Sequence, residues 1–229
     1  MAKKISQQVA KQLAGQAAAE LIQPGMLVGI GTGSTTAYFI DALGKRCQEG
    51  LQIKAVATSN RSLQHAQQVG IPFVNSHTIS YLDMTVDGAD EIDGFWQMIK
   101  GGGGALLREK LLAYSSTTMV VIVDQTKVVK QLGHFPVPIE VPSFVYQTTL
   151  QRLKHLGYDC YLRKNETNQP YVTDNDNYII DIHFHSPILD AAVEHYRLKA
   201  VIGVLETGLF FDVAKQVIVG YEEGRVDFK

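Results

Sequence analysis

The 229-residue sequence has few of the features that mark secreted, membrane or metal-binding proteins. It contains only two cysteines, Cys47 and Cys160, which lie far apart and fit no metal or redox motif. We therefore expect free thiols in a reducing cytosol, and hence a cytoplasmic protein. No apolar run is long enough to span a bilayer, so we expect no membrane partner.

An excess of charge of one sign is also absent. The formal net charge is −2, which gives no reason to expect nucleic acid or an anionic membrane as a partner. Hydrophobic residues make up 45% of the chain and charged residues 19%, the proportions of a globular protein. A chain of this length can form one large domain or two small ones.

The familiar nucleotide motifs are incomplete. The segment Gly31–Thr36 begins like GxGxxG, but Thr36 stands where the third glycine belongs. The next predicted strand ends in Thr58-Ser59-Asn60, without the acid that would hold a ribose hydroxyl, and there is no Gly-Lys-Ser/Thr of a P-loop. We expect neither a dinucleotide nor ATP, and predict that the protein needs no cofactor.

Metal-binding patterns are missing as well. The acids from Asp87 to Asp93 do not follow the alternating spacing of an EF-hand. His183 and His185 alternate near Asp181 and could in principle bind zinc, but they lie away from the other motifs. We read them as ordinary strand residues and predict no metal.

What is present begins with a strand, a glycine-rich turn and a helix. Met26–Gly31 is a short apolar run, and Ala37–Leu43 is typical of a helix. Such a turn directs backbone N–H groups at an anion, and the hydroxyls of Thr32, Ser34, Thr35 and Thr36 add donors. The alternative is a βα turn capped by a hydroxyl residue, but two glycines and four hydroxyls exceed what capping needs. We favour a phosphate site.

Strands that alternate with helices continue through the first part of the chain and predict a parallel sheet, with the functional site at the carboxyl ends of its strands. Pro136, Pro138 and Pro142 then exclude a regular helix and indicate a crossing between domains. The remaining segments predict strands with two helices on one side, which is a small α+β domain of the ferredoxin-like type. Short apolar runs predict further strands at Ile71–Val74, Tyr171–Thr173 and Val201–Leu205.

The predicted fold is therefore α/β, with a Rossmann-like parallel-sheet domain and a smaller α+β, ferredoxin-like domain. Their bounds are 1–132 with 206–229, and 133–205. The N-terminal segment is predicted to be a helix, because Ile5, Val9, Leu13 and Ala17 recur at helical spacing.

The segment Val86–Lys110 has the composition of a catalytic pocket. Asp87 and Asp90 flank a Gly-Ala turn, Lys100 precedes four glycines, and Glu109 follows within a predicted helix. Acids and a lysine can move protons and charge, and bare backbone lets a small ligand approach. Each residue has a plainer alternative: helix or turn capping for the aspartates, a surface lysine on a flexible loop, and a solvent-facing glutamate.

The motifs GIGTGSTT, VDGADEID and MIKGGGGALLREK resemble the signature blocks of the ribose-5-phosphate isomerase A family in order and spacing. VDQTK and FPVPIEV follow where that family has comparable segments, so the resemblance covers nearly the whole chain. It implies interconversion of D-ribose 5-phosphate and D-ribulose 5-phosphate in the non-oxidative pentose phosphate pathway. It also implies a homodimer.

The resemblance further assigns roles to residues. Glu109 matches the family's general base, Lys100 is expected to stabilise enediolate charge, and Asp87 and Asp90 are expected to bind sugar hydroxyls and to assist ring opening. The substrate-binding set implied is Lys11, Thr32, Gly33, Ser34, Thr35, Gly88, Ala89, Gly101, Gly102, Gly103 and Lys127.

Two other functions stay open at this point. One is a related sugar-phosphate isomerase or deaminase, such as a glucosamine-6-phosphate deaminase, against which the two blocks around Asp87 and Lys100 argue. The other is a non-catalytic sugar-phosphate sensor, which would not need Glu109, Lys100, Asp87 and Asp90 together.

Overall fold

The computed structural model describes residues 2–229, and for residues 2–6 it describes the backbone only. The chain divides into two compact units. The first comprises residues up to Ala89, Arg108–Val128 and Val213–Lys229, and the second comprises Asp90–Leu107 and Val129–Asp212. These bounds differ from the predicted domains chiefly in the 90–107 segment, which the pairing of Met98–Ile99 with Leu209–Phe210 joins to the second unit.

The first unit contains a parallel sheet with helices between its strands. Its helices are α1 Ala2–Ala19, α2 Ser34–Gln48, α3 Asn60–Gln68 and α4 Leu106–Tyr114, of which α4 enters the unit at Arg108. Its strands are β1 Leu27–Ile30, β2 Lys54–Ala57, β3 Leu82–Asp87, β6 Ser116–Asp124, β12 Ala214–Gly220 and β13 Val226–Phe228.

The sheet of the first unit has the order β13-β12-β6-β3-β1-β2. All neighbouring pairs are parallel except β12 with β13 at the edge. The chain passes from β1 outward to β2 and then returns to β3 on the other side of β1, so the strand order reverses between β1 and β3. In open α/β sheets, ligands bind at the carboxyl ends of the strands at such a reversal.

The predicted N-terminal helix is confirmed, but its buried stripe is not the expected one. Ala10, Ala14 and Ala18 are fully buried at a spacing of four residues, whereas Val9 is exposed. Ile5 lies outside the described side chains. The small stripe permits close packing, because a Cβ on Gly15 would lie 2.6 Å from the backbone nitrogen of Phe39 in α2.

The second unit contains two antiparallel sheets. Its elements are β4 Glu91–Ile92, β5 Met98–Ile99, β7 Val137–Pro142, α5 Tyr146–His155, β8 Asp159–Leu162, β9 Asn177–His183, α6 Ala191–Lys199, β10 Glu206–Thr207 and β11 Leu209–Phe210. The larger sheet has the order β10-β7-β9-β8 and the smaller one β11-β5-β4. The βαββαβ succession with this order is the ferredoxin-like arrangement, which confirms the predicted class.

The proline-rich crossing was interpreted wrongly, since Val137–Pro142 forms the inner strand β7. Proline is tolerated there because of where β10 ends. The carbonyl of Pro138 accepts a hydrogen bond from the Gly208 N–H at 2.7 Å, one residue beyond β10. The N–H and C=O of one residue in an extended strand point to the same side, so the missing N–H of Pro138 faces Gly208. The Gly208 carbonyl accepts a hydrogen bond from the Lys100 N–H at 2.9 Å instead, so proline leaves no ladder acceptor without a donor.

Three predicted strands are not regular strands in the structure. The 71–74 and 171–173 segments make only single bridges, Ala55 with Phe73 and Val172 with Tyr178. The 201–205 segment forms turns, and the strand follows it at Glu206. Short apolar runs do not reveal whether a neighbouring strand has free backbone groups, which is why these predictions failed.

Candidate active site

In the first unit, Asp87 ties together the ends of two adjacent strands. It is the last residue of β3 and is fully buried. Its Oδ1 accepts hydrogen bonds from the backbone N–H of Thr32, at 2.9 Å, and of Gly88, at 2.7 Å. A Cβ on Gly31 would lie 2.0 Å from the same oxygen, so only glycine fits there. The carboxylate thereby fixes the glycine turn that follows β1.

The side chain of Thr32 belongs to a hydroxyl network within the fold. Its Oγ1 donates to Ser59 Oγ at 2.7 Å, Ser59 Oγ donates to Ser62 Oγ at 3.0 Å, and Ser62 Oγ donates to the Gly31 carbonyl at 2.7 Å. Thr58 Oγ1 also lies 2.7 Å from Thr32 Oγ1. Thr32 therefore holds the turn in place, and its contact with a ligand stays a prediction. Sequence reasoning missed this network, although the hydroxyl-rich Thr58-Ser59 pair after β2 is a feature from which it could have been found.

The N-terminus of α2 has a cation beside it. Gly33, with φ of 141°, precedes the helix, and Ser34 is its first residue. The Lys11 ammonium of α1 donates to Ser34 Oγ at 3.0 Å and lies 4.0 Å from Asp124 Oδ2. A helix N-terminus and an ammonium both favour a bound anion. The structure thus brings Lys11, which the family resemblance assigned to the substrate, to the glycine turn of Gly33 and Ser34. Thr35 lies buried beside them in α2.

Lys127 follows the adjacent strand β6. It is the last residue of a 3-10 turn, Gln125–Lys127, which Asp124 begins by accepting a hydrogen bond from the Thr126 N–H at 2.9 Å. Because β6 is parallel to β3, Lys127 lies at the same carboxyl edge of the sheet as Asp87. Sequence reasoning missed the positioning role of Asp124, although an aspartate at a strand end is the pattern that singled out Asp87.

Glu109 lies in the first turn of α4 and is 2% exposed. The alternative of a solvent-facing glutamate is therefore wrong. A buried carboxylate has a desolvation cost that surface glutamates avoid, so such residues are rarely buried without a function or a partner.

In the second unit, Lys100 is likewise buried, with 2% exposure, which overturns the alternative of a surface lysine on a flexible loop. Its backbone N–H donates to the Gly208 carbonyl at 2.9 Å, and its Nζ lies 5.4 Å from the ring centroid of Phe210. The short sheet of β4, β5 and β11 fixes the backbone on which Lys100 stands.

Asp90 supports the glycine turn that follows Lys100. Its Oδ2 accepts a hydrogen bond from the Gly102 N–H at 2.7 Å, and a Cβ on Gly102 would lie 2.6 Å from Oδ1. Gly101 and Gly104 have φ of 94° and 82°, a conformation that other residues rarely adopt. Gly102 and Gly103 are exposed, so their backbone is accessible to a ligand.

The histidines and cysteines considered for metal and redox chemistry make ordinary side-chain contacts or are free thiols. His185 Nε2 lies 3.2 Å from Asp159 Oδ2, and the His183 ring packs against Tyr161 with centroids 6.0 Å apart. Among the described residues, no group of three histidine, cysteine or acidic side chains is arranged to hold a metal ion. Cys47 and Cys160 are free thiols. No helix in the described part of the chain is long and apolar enough to cross a membrane.

Comparison with known proteins identifies the family of this chain. Residues 54–224 match the family described as ribose 5-phosphate isomerase A (phosphoriboisomerase A). Ribose-5-phosphate isomerase A of Protochlamydia amoebophila (strain UWE25) is 56% identical over 215 residues, covering 94% of this chain and 93% of that protein.

Solved structures give the same result at the level of the fold. Ribose 5-phosphate isomerase A from Methanocaldococcus jannaschii superposes with a TM-score of 0.89 at 36% identity, covering 96% of this chain and 97% of that one. A D-ribose-5-phosphate isomerase in complex with phospho-erythronic acid gives a TM-score of 0.90 at 38% identity, with 96% of each chain covered. The chain therefore belongs to the ribose 5-phosphate isomerase A family.

Proposed function

We propose that this protein interconverts D-ribose 5-phosphate and D-ribulose 5-phosphate through an enediolate, with Glu109 as the general base. The observation that carries the proposal is the near-complete burial of Asp87, Lys100 and Glu109, which are 0%, 2% and 2% exposed. Three buried ionisable side chains have a desolvation cost that packing alone does not require. The family to which the chain belongs supports the choice of substrate.

The proposed reaction moves two protons and no net electrons. In the open-chain aldose, Glu109 removes the proton from C2, and the electron pair shifts towards C1 so that the aldehyde oxygen gains negative charge. The Lys100 ammonium stabilises that charge. Glu109 then returns the proton to C1, while the proton of the C2 hydroxyl is passed to the C1 oxygen, so that the ketone forms at C2 and a hydroxyl at C1. One carboxylate can make both transfers, because C1 and C2 are neighbouring carbons that it reaches from the same face of the enediolate.

Asp87 and Asp90 are assigned to the sugar hydroxyls in this proposal. Carboxylates accept hydrogen bonds from hydroxyls, and they can pass a proton between the oxygens on C1 and C2 or assist opening of the furanose ring. The backbone of Gly88, Ala89 and Gly101–Gly103 completes the sugar site. The contacts of Asp87 Oδ1 with Thr32 and Gly88 support a fixed carboxylate orientation.

The phosphate is assigned to the N-terminus of α2, where Gly33, Ser34 and Thr35 would offer donors, with Thr32 holding the turn. Lys11 and Lys127 supply positive charge. The 3.0 Å contact between Lys11 Nζ and Ser34 Oγ supports this assignment, because it brings an ammonium to the first residue of the helix. A relative's complex with phospho-erythronic acid, a phosphorylated sugar acid, supports the same ligand class.

The deaminase and sensor alternatives have no observation in their favour. A sensor needs no general base, yet Glu109 is buried at the start of a helix. In the cell we propose a cytoplasmic role in the non-oxidative pentose phosphate pathway, consistent with the two free thiols. Neither metal nor cofactor has a part in the proposed steps.

The direct test is a coupled isomerase assay on purified protein. We expect turnover of ribose 5-phosphate to ribulose 5-phosphate and no ammonia release from glucosamine 6-phosphate. Absence of isomerisation under conditions in which an established ribose-5-phosphate isomerase is active, or deamination of the amino sugar, would reject the proposal.

We also propose that the protein is a homodimer. Closed, two-fold symmetric dimers are the commonest soluble assemblies, and the family resemblance points the same way. Light scattering coupled to size exclusion should give twice the chain mass of 25.3 kDa. A mass equal to that of one chain at assay concentrations would contradict this expectation.

A further inference from the structure

The glycine turn of the second unit is held by side chains from a distant part of the sequence. Arg163 Nη1 donates to the carbonyl of Gly101 at 2.9 Å and to that of Gly102 at 3.2 Å. These residues are separated by about 60 positions along the chain and belong to the same compact unit. Two successive peptide carbonyls are therefore fixed by one guanidinium.

Arg163 is itself held by a carboxylate. It follows β8 directly, and its Nε donates to Asp181 Oδ2 of β9 at 2.8 Å, while Nη2 donates to Asp181 Oδ1. The two side chains are only 14% and 18% exposed. A planar guanidinium bound at two points has little freedom to rotate, so Nη1 is directed at the glycine turn.

Tyr171 provides a third contact. Its hydroxyl donates to the Gly103 carbonyl at 3.2 Å, and its ring lies 5.9 Å from the Arg163 guanidinium carbon. A Cβ on Gly104 would lie 2.3 Å from the tyrosine oxygen, so the turn and the ring are in close contact. Carbonyls at three consecutive glycines thus have partners in this cluster.

The hydrogen bonds to these carbonyls fix the direction of the intervening N–H groups. In a trans peptide, the C=O of one residue and the N–H of the next point in opposite directions. The Gly102 N–H, opposite the Gly101 carbonyl, reaches Asp90 Oδ2 at 2.7 Å. The Gly103 N–H, opposite the Gly102 carbonyl, is likewise directed away from Arg163, on an exposed residue.

From these contacts we propose that Arg163, held by Asp181 and supported by Tyr171, is a positioning residue for isomerisation. It fixes the peptide orientation of Gly101–Gly103, and through that turn the placement of Asp90 and of the adjacent Lys100. The catalytic part of this inference rests on the proposed function. The contacts of Arg163, Asp181 and Tyr171 with the glycine turn, here called the clamp, lie within the second unit. The sequence did not reveal it, because neither the spacing nor the composition around Arg163 differs from that of an ordinary strand end.

The kinetic test compares Arg163→Ala and Arg163→Lys with Arg197→Ala as the matched control. Arg197 also forms an ion pair in this unit, with Glu194, but lies on the surface of α6. We expect kcat of Arg163→Ala to fall by about 10²-fold, the usual effect of misplacing a catalytic group by about 1 Å, with KM little changed. Lysine should not restore the rate, because it lacks the planar fork. Arg197→Ala should behave as wild type.

Two further readouts separate positioning from a general loss of structure. Low, non-denaturing guanidinium chloride should recover part of the activity of Arg163→Ala, but sodium chloride at equal ionic strength should not. Amide hydrogen exchange should accelerate in the peptide that spans Gly101–Gly104 and stay unchanged in the first unit. The exchange measurement needs no substrate, so it tests the clamp even if ribose 5-phosphate is not turned over.

The proposal is overturned by any of three results. The first is wild-type exchange in the glycine turn of Arg163→Ala. The second is faster exchange there with unchanged kcat in an active enzyme. The third is a loss of activity that guanidinium does not recover and that accompanies faster exchange throughout the chain.

Discussion

The Glu109→Gln variant is expected to lose about 10²–10⁴-fold in kcat, the usual contribution of a general base. Glutamine keeps the size of the side chain and much of its hydrogen bonding, but it has no basic carboxylate oxygen. KM should change little, because the amide still fills the buried position in the first turn of α4. Steady-state kinetics with ribose 5-phosphate measures both quantities.

A matched control is available in α6. Glu194 also lies in the first turn of its helix and is 9% exposed, and it accepts a hydrogen bond from the Tyr158 hydroxyl. Glu194→Gln removes a buried carboxylate in the same way without touching the proposed site, so it should keep near wild-type kcat. If Glu109→Gln and Glu194→Gln have the same modest effect, burial alone explains Glu109 and the base lies elsewhere.

Removal of the substrate phosphate is expected to have the second large effect. Free ribose should react with kcat/KM lower by at least about 10³-fold, because it loses about three hydrogen bonds to a charged group, each worth roughly 1.5–3 kcal/mol. The comparison needs only the same assay with both sugars. Comparable kcat/KM values for ribose and its 5-phosphate would exclude a phosphate site at the N-terminus of α2.

Lys127→Ala tests the same site from the protein side. An ammonium that binds the phosphate equally in the ground and transition states contributes to KM and leaves kcat nearly unchanged. We therefore expect a raised KM for ribose 5-phosphate and no further change for free ribose. Lys54→Ala is the control, since Lys54 is exposed at the opposite, amino end of its parallel strand β2. A raised KM in both variants would indicate a general electrostatic effect.

The sequence predicted those parts of the fold that depend on local patterns. The apolar run before Gly31 and the hydroxyl-rich turn after it led correctly to β1 and α2, because strand, turn and helix propensities all act within a few residues. The sequence did not predict β7, because whether a proline at position 138 interrupts the ladder depends on the end of β10, some 70 residues later. The two-residue strands β4 and β5 carry too few residues for any periodicity to appear.

In the candidate site, too, local patterns could be predicted from the sequence and tertiary contacts could not. Composition drew attention to Asp87, Asp90, Lys100 and Glu109, and the family resemblance assigned their roles. Only tertiary packing distinguishes a buried lysine or glutamate from a surface one. The hydroxyl of Thr32 had the chemistry of a phosphate donor, yet its proton is directed to Ser59. The role of Arg163 could not be predicted from the sequence, because folding brings its partners, the Gly101 carbonyl and Asp181, from separate segments.

The identity of the base is tested most directly by exchange of the C2 proton of ribose 5-phosphate in deuterated water, followed by NMR. Wild type should exchange this proton, and Glu109→Gln should exchange it at least about 10²-fold more slowly. Asp87→Asn and Asp90→Asn should retain more exchange than Glu109→Gln, because their assigned roles concern orientation and hydroxyl protons. Near wild-type exchange in Glu109→Gln, together with its loss in Asp87→Asn or Asp90→Asn, would contradict the assignment and move the base to an aspartate.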